Sequence, residues 1–87
     1  MRDKMDKLYF NERISIDPKI CNGVACIDGT RIPVYQIVGM LANGDTIEDL
    51  LKEYPTIERE DILACLRYAA KIAEDQITPI PVTGEEF

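Results

Sequence analysis

The chain has 87 residues, 46% of them apolar and 30% charged, and a net charge of −6. That size holds one domain with a single small core, burying about 60–70% of the surface an unfolded chain exposes. No apolar run reaches the roughly 18 residues of a membrane span, and the charged start (Arg2, Asp3, Lys4, Asp6, Lys7) lacks the apolar stretch of a secretory leader, so a cytoplasmic protein with no membrane partner is expected.

Residues 1–12 form a charged N-terminal arm with Met5, Leu8 and Tyr9 as candidate helical anchors. Residues 13–17 (R-I-S-I-D) alternate polar and apolar side chains, the pattern of a half-buried strand. Pro18 stops it, since proline has no N–H for a ladder. After a loop closed by Asn22-Gly23, residues 24–27 and 30–32 flank Asp28-Gly29, a pair suited to the positive φ angles of a two-residue hairpin turn. The expected hairpin is short and needs other elements packed on it.

Three helices follow. Pro33 suits a first helical position, where its missing N–H costs nothing, and Val34, Ile37, Val38 and Leu41 then share a face that Met40 widens. Gly44 suits a left-handed stop. This helix is apolar nearly all round, so a central place is expected. Thr46 and Asp49 are spaced as a capping box for a second helix with the stripe Ile47, Leu50, Leu51, Tyr54, ended by Pro55. The third helix is expected from Glu58, with Ile57 and Ile62 as a hydrophobic staple and Glu60 and Asp61 favourable at its dipole. Ile62, Cys65, Leu66, Ala69, Ile72 and Ala73 line one side of it, and Leu63 and Ala70 extend the apolar arc past one helix contact. That excess predicts packing on two sides, or a dimer interface. Residues 76–87 carry two prolines and a glycine and form an extended C-terminal tail, with Ile77, Ile80, Val82 and Phe87 spaced along it as candidate partner-binding residues.

Chemistry is sparse. Cys21, Cys26 and Cys65 have no framework spacing, and free cysteine packs as a small hydrophobe. The chain has no histidine, which removes the commonest general base and leaves no usual metal set. No catalytic residue, metal site or cofactor is therefore expected, and no enzymatic activity. Residues 1–34 carry six Lys/Arg against five Asp/Glu, a net +1, and residues 35–87 carry four against eleven, a net −7. An acidic half is a poor match for phosphates, because nonspecific DNA affinity comes from neutralising them with Lys and Arg. It favours a basic protein partner.

Residues 14–70 resemble domain-of-unknown-function family number 433. The resemblance is carried by I-S-I-D-P-K-I-C-N-G-V-A-C-I-D-G-T-R-I-P-V, then N-G-D-T-I-E-D-L-L-K-E-Y-P, then E-D-I-L-A-C-L-R-Y-A-A, over roughly two thirds of the chain. Its most specific part is the turn motif with Gly29, Thr30, Arg31 and Pro33. The resemblance implies a mainly α, homeodomain-like three-helix helix-turn-helix over residues 13–75, with a small N-terminal β-strand and β-hairpin. It also implies an antitoxin component, encoded beside a toxin with a PIN-type nuclease fold. Two positions depart from the family: Glu58 stands where members place threonine as the cap of the third helix, and Ala25 where they often have proline.

Turn chemistry accounts for the motif: Gly29 supplies a positive φ, Thr30 ties its hydroxyl to backbone, and Arg31 pairs with a carboxylate such as Asp17. A DNA reader carries Arg, Lys, Asn or Gln in the first turn of its recognition helix. This chain offers Glu58, Arg59, Glu60 and Asp61 there, so Arg59 is the one suitable residue, with Arg13 and Arg31 as further DNA candidates. The expectation is a homodimeric antitoxin-like protein that neutralises a nuclease-type toxin and autoregulates its operon. The alternatives are a helix-turn-helix transcriptional regulator and a structural dimerisation module with no toxin partner.

Overall fold

The computed structural model describes residues 7–75, so the first six residues of the arm and the tail with Ile77, Ile80, Val82 and Phe87 lie outside the described residues. Three antiparallel strands, β1 (Leu8–Asn11), β2 (Ile14–Ile16) and β3 (Ala25–Ile27), form a sheet in that order. Three helices follow, α1 (Val34–Ala42), α2 (Ile47–Glu53) and α3 (Arg59–Asp75). Among the described residues, no helix is long and apolar enough to cross a membrane.

β2 is the strand expected over residues 13–17, trimmed to the positions that face the core or the sheet. β1 was hidden in the charged arm because its exposed Leu8, Tyr9 and Phe10 show no alternation. Beyond its antiparallel pairing with β2, two side-chain contacts hold it. Asn11 Oδ1 accepts from the N–H groups of Arg13 (2.7 Å) and Ile14 (3.0 Å), making a side-chain turn that reverses the chain into β2. Phe10 meets Tyr68 of α3 edge to face, with ring centroids 5.2 Å apart.

The expected hairpin around Asp28-Gly29 is reduced to a turn. Gly29 has φ +82°, and the Ile27 N–H donates to the Ile32 carbonyl at 3.0 Å. Residues 30–32 nevertheless form no strand, and a single bridge joins Cys26 to Pro33. Pro33 has no N–H to extend the ladder, and helix begins one residue later. β3 takes β2 as its partner instead, pairing Ile14 with Ile27 and Ile16 with Ala25.

The helix boundaries follow local chemistry. Pro33 is the cap of α1 rather than its first turn, and Gly44, at φ +107°, follows the C-cap Asn43. Thr46 and Asp49 form the full capping box of α2. α3 starts at Arg59, one residue later than expected, and the Glu58 N–H donates to Asp61 Oδ2 at 2.8 Å. Aspartate three positions on thus supplies a cap bond to the Glu58 backbone. Ile14, Ile37, Leu50, Ile62 and Cys65 are the largest fully buried side chains. α1 is less central than its composition suggests: Val34 and Ile37 are buried but Tyr35 is 66% exposed. β3, α2 and α3 cover one side of α1 and leave the other open.

Candidate functional site

Two surfaces stand out, one polar and one apolar. The polar one forms where the β1–β2 turn meets the start of α3. Arg13 reaches across the fold, with Nη1 2.9 Å from Asp61 Oδ1 and 3.3 Å from Glu58 Oε1. These carboxylates, Asp61 foremost, hold the guanidinium above its ordinary pKa. One turn away, Arg59 Nη1 lies 3.8 Å from Glu48 Oε2 of α2, an exposed pair of the kind that contributes little to stability.

The three arginines singled out as DNA candidates therefore differ. Arg13 and Arg59 face carboxylates of their own chain. Arg31 is exposed, and no ion pair among the described residues includes it. The expected Arg31–Asp17 pair is not formed, because Asp17 turns back to accept from the Lys19 N–H at 2.9 Å and closes its own loop. The rest of the motif behaves as turn chemistry predicts. Thr30 Oγ1 donates to the Ile27 carbonyl at 2.7 Å and accepts from the Ile32 N–H at 3.0 Å. The Cys21 thiol donates to the Arg31 carbonyl at 3.3 Å.

Beside Arg13 a polar cleft of about 300 Å³ is lined by Glu12, Arg13, Asp28 and Asp61. Asp28 accepts from Lys7 Nζ (3.0 Å) and Ser15 Oγ (2.9 Å). The Lys7 hydrogen bond is the main reason its carboxyl lies below the ordinary 3.8. Asp28 is thus held ionised and tied to the sheet. Among the described residues no group of three His, Cys, Asp or Glu side chains could hold a metal ion. Burial pushes the thiols of Cys26 and Cys65 up to about 12, so both stay protonated at neutral pH and pack as apolar groups.

The apolar surface is a groove of about 660 Å³ between α1, the C-terminal half of α3 and the segment 23–25. Gly39 and Ala42 of α1 and Ala69 and Ala73 of α3 give it a low floor, while Tyr35, Val24 and Ile72 stand exposed at its edges. Among the described residues, no charged side chain lines it. Ala69, Ile72 and Ala73, which line it, belong to the side of the third helix expected to pack rather than to the excess arc. Leu63 and Ala70, named as that excess, do not line the groove. The contribution of α1 went unseen, because its glycine and alanine carry no hydrophobic weight of their own.

The model of a family described as "Protein of unknown function (DUF433)" matches residues 14–69. An uncharacterized protein of Sinorhizobium fredii is 33% identical over 58 residues, which make up 67% of this chain but only 26% of that protein. The crystal structure of a DUF433 member protein from Anabaena variabilis is similar at 36% identity and a TM-score of 0.69, over 74% of this chain and 63% of that one.

Proposed function

The chain belongs to the DUF433 family, and from that premise and its charge layout we propose that it is a non-enzymatic, antitoxin-like protein. It binds a nuclease-type toxin through its acidic helical corner and covers the cleft that would take nucleic acid. One observation carries this reading: Glu48, Asp49, Glu53, Glu58 and Glu60 are all exposed around α2 and the start of α3, and the two arginines nearest, Arg13 and Arg59, are already turned onto carboxylates. Such a surface repels a phosphate backbone and complements a basic nuclease cleft, speeding encounter and favouring that partner over others.

The test is co-expression with the product of the adjacent gene, a tag being placed on that product. Retention of this chain at micromolar concentration, with loss of nuclease activity in the complex, is the expected result. Glu48→Lys with Glu53→Lys should weaken the complex at least roughly tenfold, through like charge on the cleft. Failure of the pair to co-purify sinks the proposal. The second reading, a homeodomain-like helix-turn-helix regulator, is favoured by one observation: Arg31 is exposed with no ion pair among the described residues. It predicts a shift of the chain's own promoter DNA with a steep salt dependence, lost in Arg31→Ala.

A further inference from the structure

We infer that the apolar groove between α1 and the C-terminal half of α3 is the docking site of this chain's own tail, residues 77–82, which turns back from the end of α3 and lies across it. The inference does not depend on the antitoxin reading.

Three observations select the tail as the occupant. The first is composition. The sequence has three runs of eight or more residues without Asp, Glu, Lys or Arg: 20–27, 32–44 and 76–84. The first two supply core, with Ala25, Cys26 and Ile27 of β3 and Val34 and Ile37 of α1 all buried. The third carries Ile77, Ile80 and Val82. Chain that stays solvated is poor in such residues and rich in charge. This run is the reverse.

The second is position. α3 ends at Asp75, two residues after Ala73, which lines the groove. The tail therefore starts at the groove's rim. Proline fixes its own φ and disfavours helix at the residue before it, so the T-P-I-P of residues 78–81 favours extended chain over a continued α3. At about 3.1 Å per residue, six extended residues span about 19 Å, enough to cross the roughly 9 Å between packed helix axes and reach Gly39 of α1.

The third is size. At about 660 Å³ the groove is a site for a few side chains. A stable protein–protein interface buries roughly 800 Å² per partner. A separate partner would gain too little here to offset the freedom it loses on association. A tethered segment loses far less, because its effective concentration is in the millimolar range. Gly39, Ala42, Ala69 and Ala73 leave hollows for its branched side chains, and an added Cβ at Gly39 would meet nothing within 4 Å.

Thiol labelling in the groove of the full chain tests the inference. Gly39→Cys places a thiol in that open space, in a Cys21→Ser background that removes the half-buried native thiol and keeps a donor for the Arg31 carbonyl. Cys65 is fully buried, so its labelling reports unfolding. Docking is a local equilibrium that the tether favours on the order of fivefold. Ile80→Asp with Val82→Asp should therefore raise the iodoacetamide rate at position 39 about fivefold while Cys65 stays unlabelled. The added carboxylates alone would slow a nearby thiol by disfavouring its thiolate, so a faster rate reports lost cover. Glu85→Gln with Glu86→Gln, past the docked segment, should leave the rate unchanged. From about 1 to about 100 µM chain the rate should stay constant, as a contact within one molecule requires. A rate unmoved by the pair at Ile80 and Val82 overturns the inference. So does protection that grows with chain concentration, which would assign the groove to a second copy. A rise shared by Cys65 overturns it too, since the tail would then belong to the core and not to a docking equilibrium.

Discussion

In the first half of α3, Ile62, Ala64 and Cys65 are buried, and Asp61 both caps the helix and holds Arg13; over residues 70–75 every side chain is exposed. One helix thus does two jobs. Its first half is bound into the core by apolar packing and by charges that neutralise one another inside the chain. Its second half leaves the core and offers Ile72 and Ala73 to the groove. Most helical stability in proteins comes from a packed face rather than from propensity. A helix end with no packed face is therefore free to serve as a contact surface.

The largest effect that separates the two halves is thiol reactivity. Cys65, with its thiol pushed up to about 12 by burial, carries roughly a thousandfold less thiolate than a free cysteine. A cysteine placed at the other end, Ala73→Cys, should react with iodoacetamide at once while Cys65 waits for unfolding. Equal labelling of both would erase the distinction.

Stability gives the next contrast. Ile62 is fully buried, and Ile62→Ala should cost about 2–5 kcal/mol in urea denaturation. Ile72→Ala, at an exposed position, should cost less than about 0.5 kcal/mol. Comparable losses at both sites would mean the helix packs along its whole length.

Asp61→Ala removes the cap bond to Glu58 and the shorter Arg13 contact together, and should cost about 1 kcal/mol. Asp61→Asn, whose amide oxygen keeps the cap acceptor without the charge, should recover part of that. If it recovers none, the Arg13 pair rather than the cap holds the start of the helix.

The smallest effect is acid sensitivity. Asp28 lies below its ordinary 3.8 mainly through Lys7, and Asp49 lies below the same value through the Thr46 backbone N–H. Carboxylates depressed in the fold stabilise it above their unfolded pKa, and that contribution is lost as pH falls through the folded value. The denaturation midpoint should therefore be flat from about pH 7 to pH 5 and fall below about pH 4. Asp49→Asn should flatten that fall, and an unchanged acid limb would remove the capping box from its causes.

Much of the helical part was legible beforehand. Thr46–Asp49, Gly44, Pro55 and the Ile57–Ile62 pair act over a turn or two of chain, so their spacing alone announces them. β1 was not legible, since its strand character depends on Asn11 turning the chain and on Phe10 meeting Tyr68, a residue of another element. The arm over residues 30–32 misled for the opposite reason. Its turn residues are right, but the neighbouring Pro33 and the competing strand β2 deny it a ladder.

The same division runs through the candidate sites. Composition and residue order determined that the helical half is acidic, that the chain has no histidine, and that the third helix carries apolar residues beyond a single stripe. Tertiary structure decided which charges remain available. Arg13 is bound by Glu58 and Asp61 across 45 and 48 residues of sequence, a pairing no local pattern encodes. It also gathered the small residues of α1 and α3 into one groove. Local backbone preferences act within a few residues and can be read in order. Ion pairs and grooves are made by residues far apart in the chain, and they exist only once packing has brought those residues together.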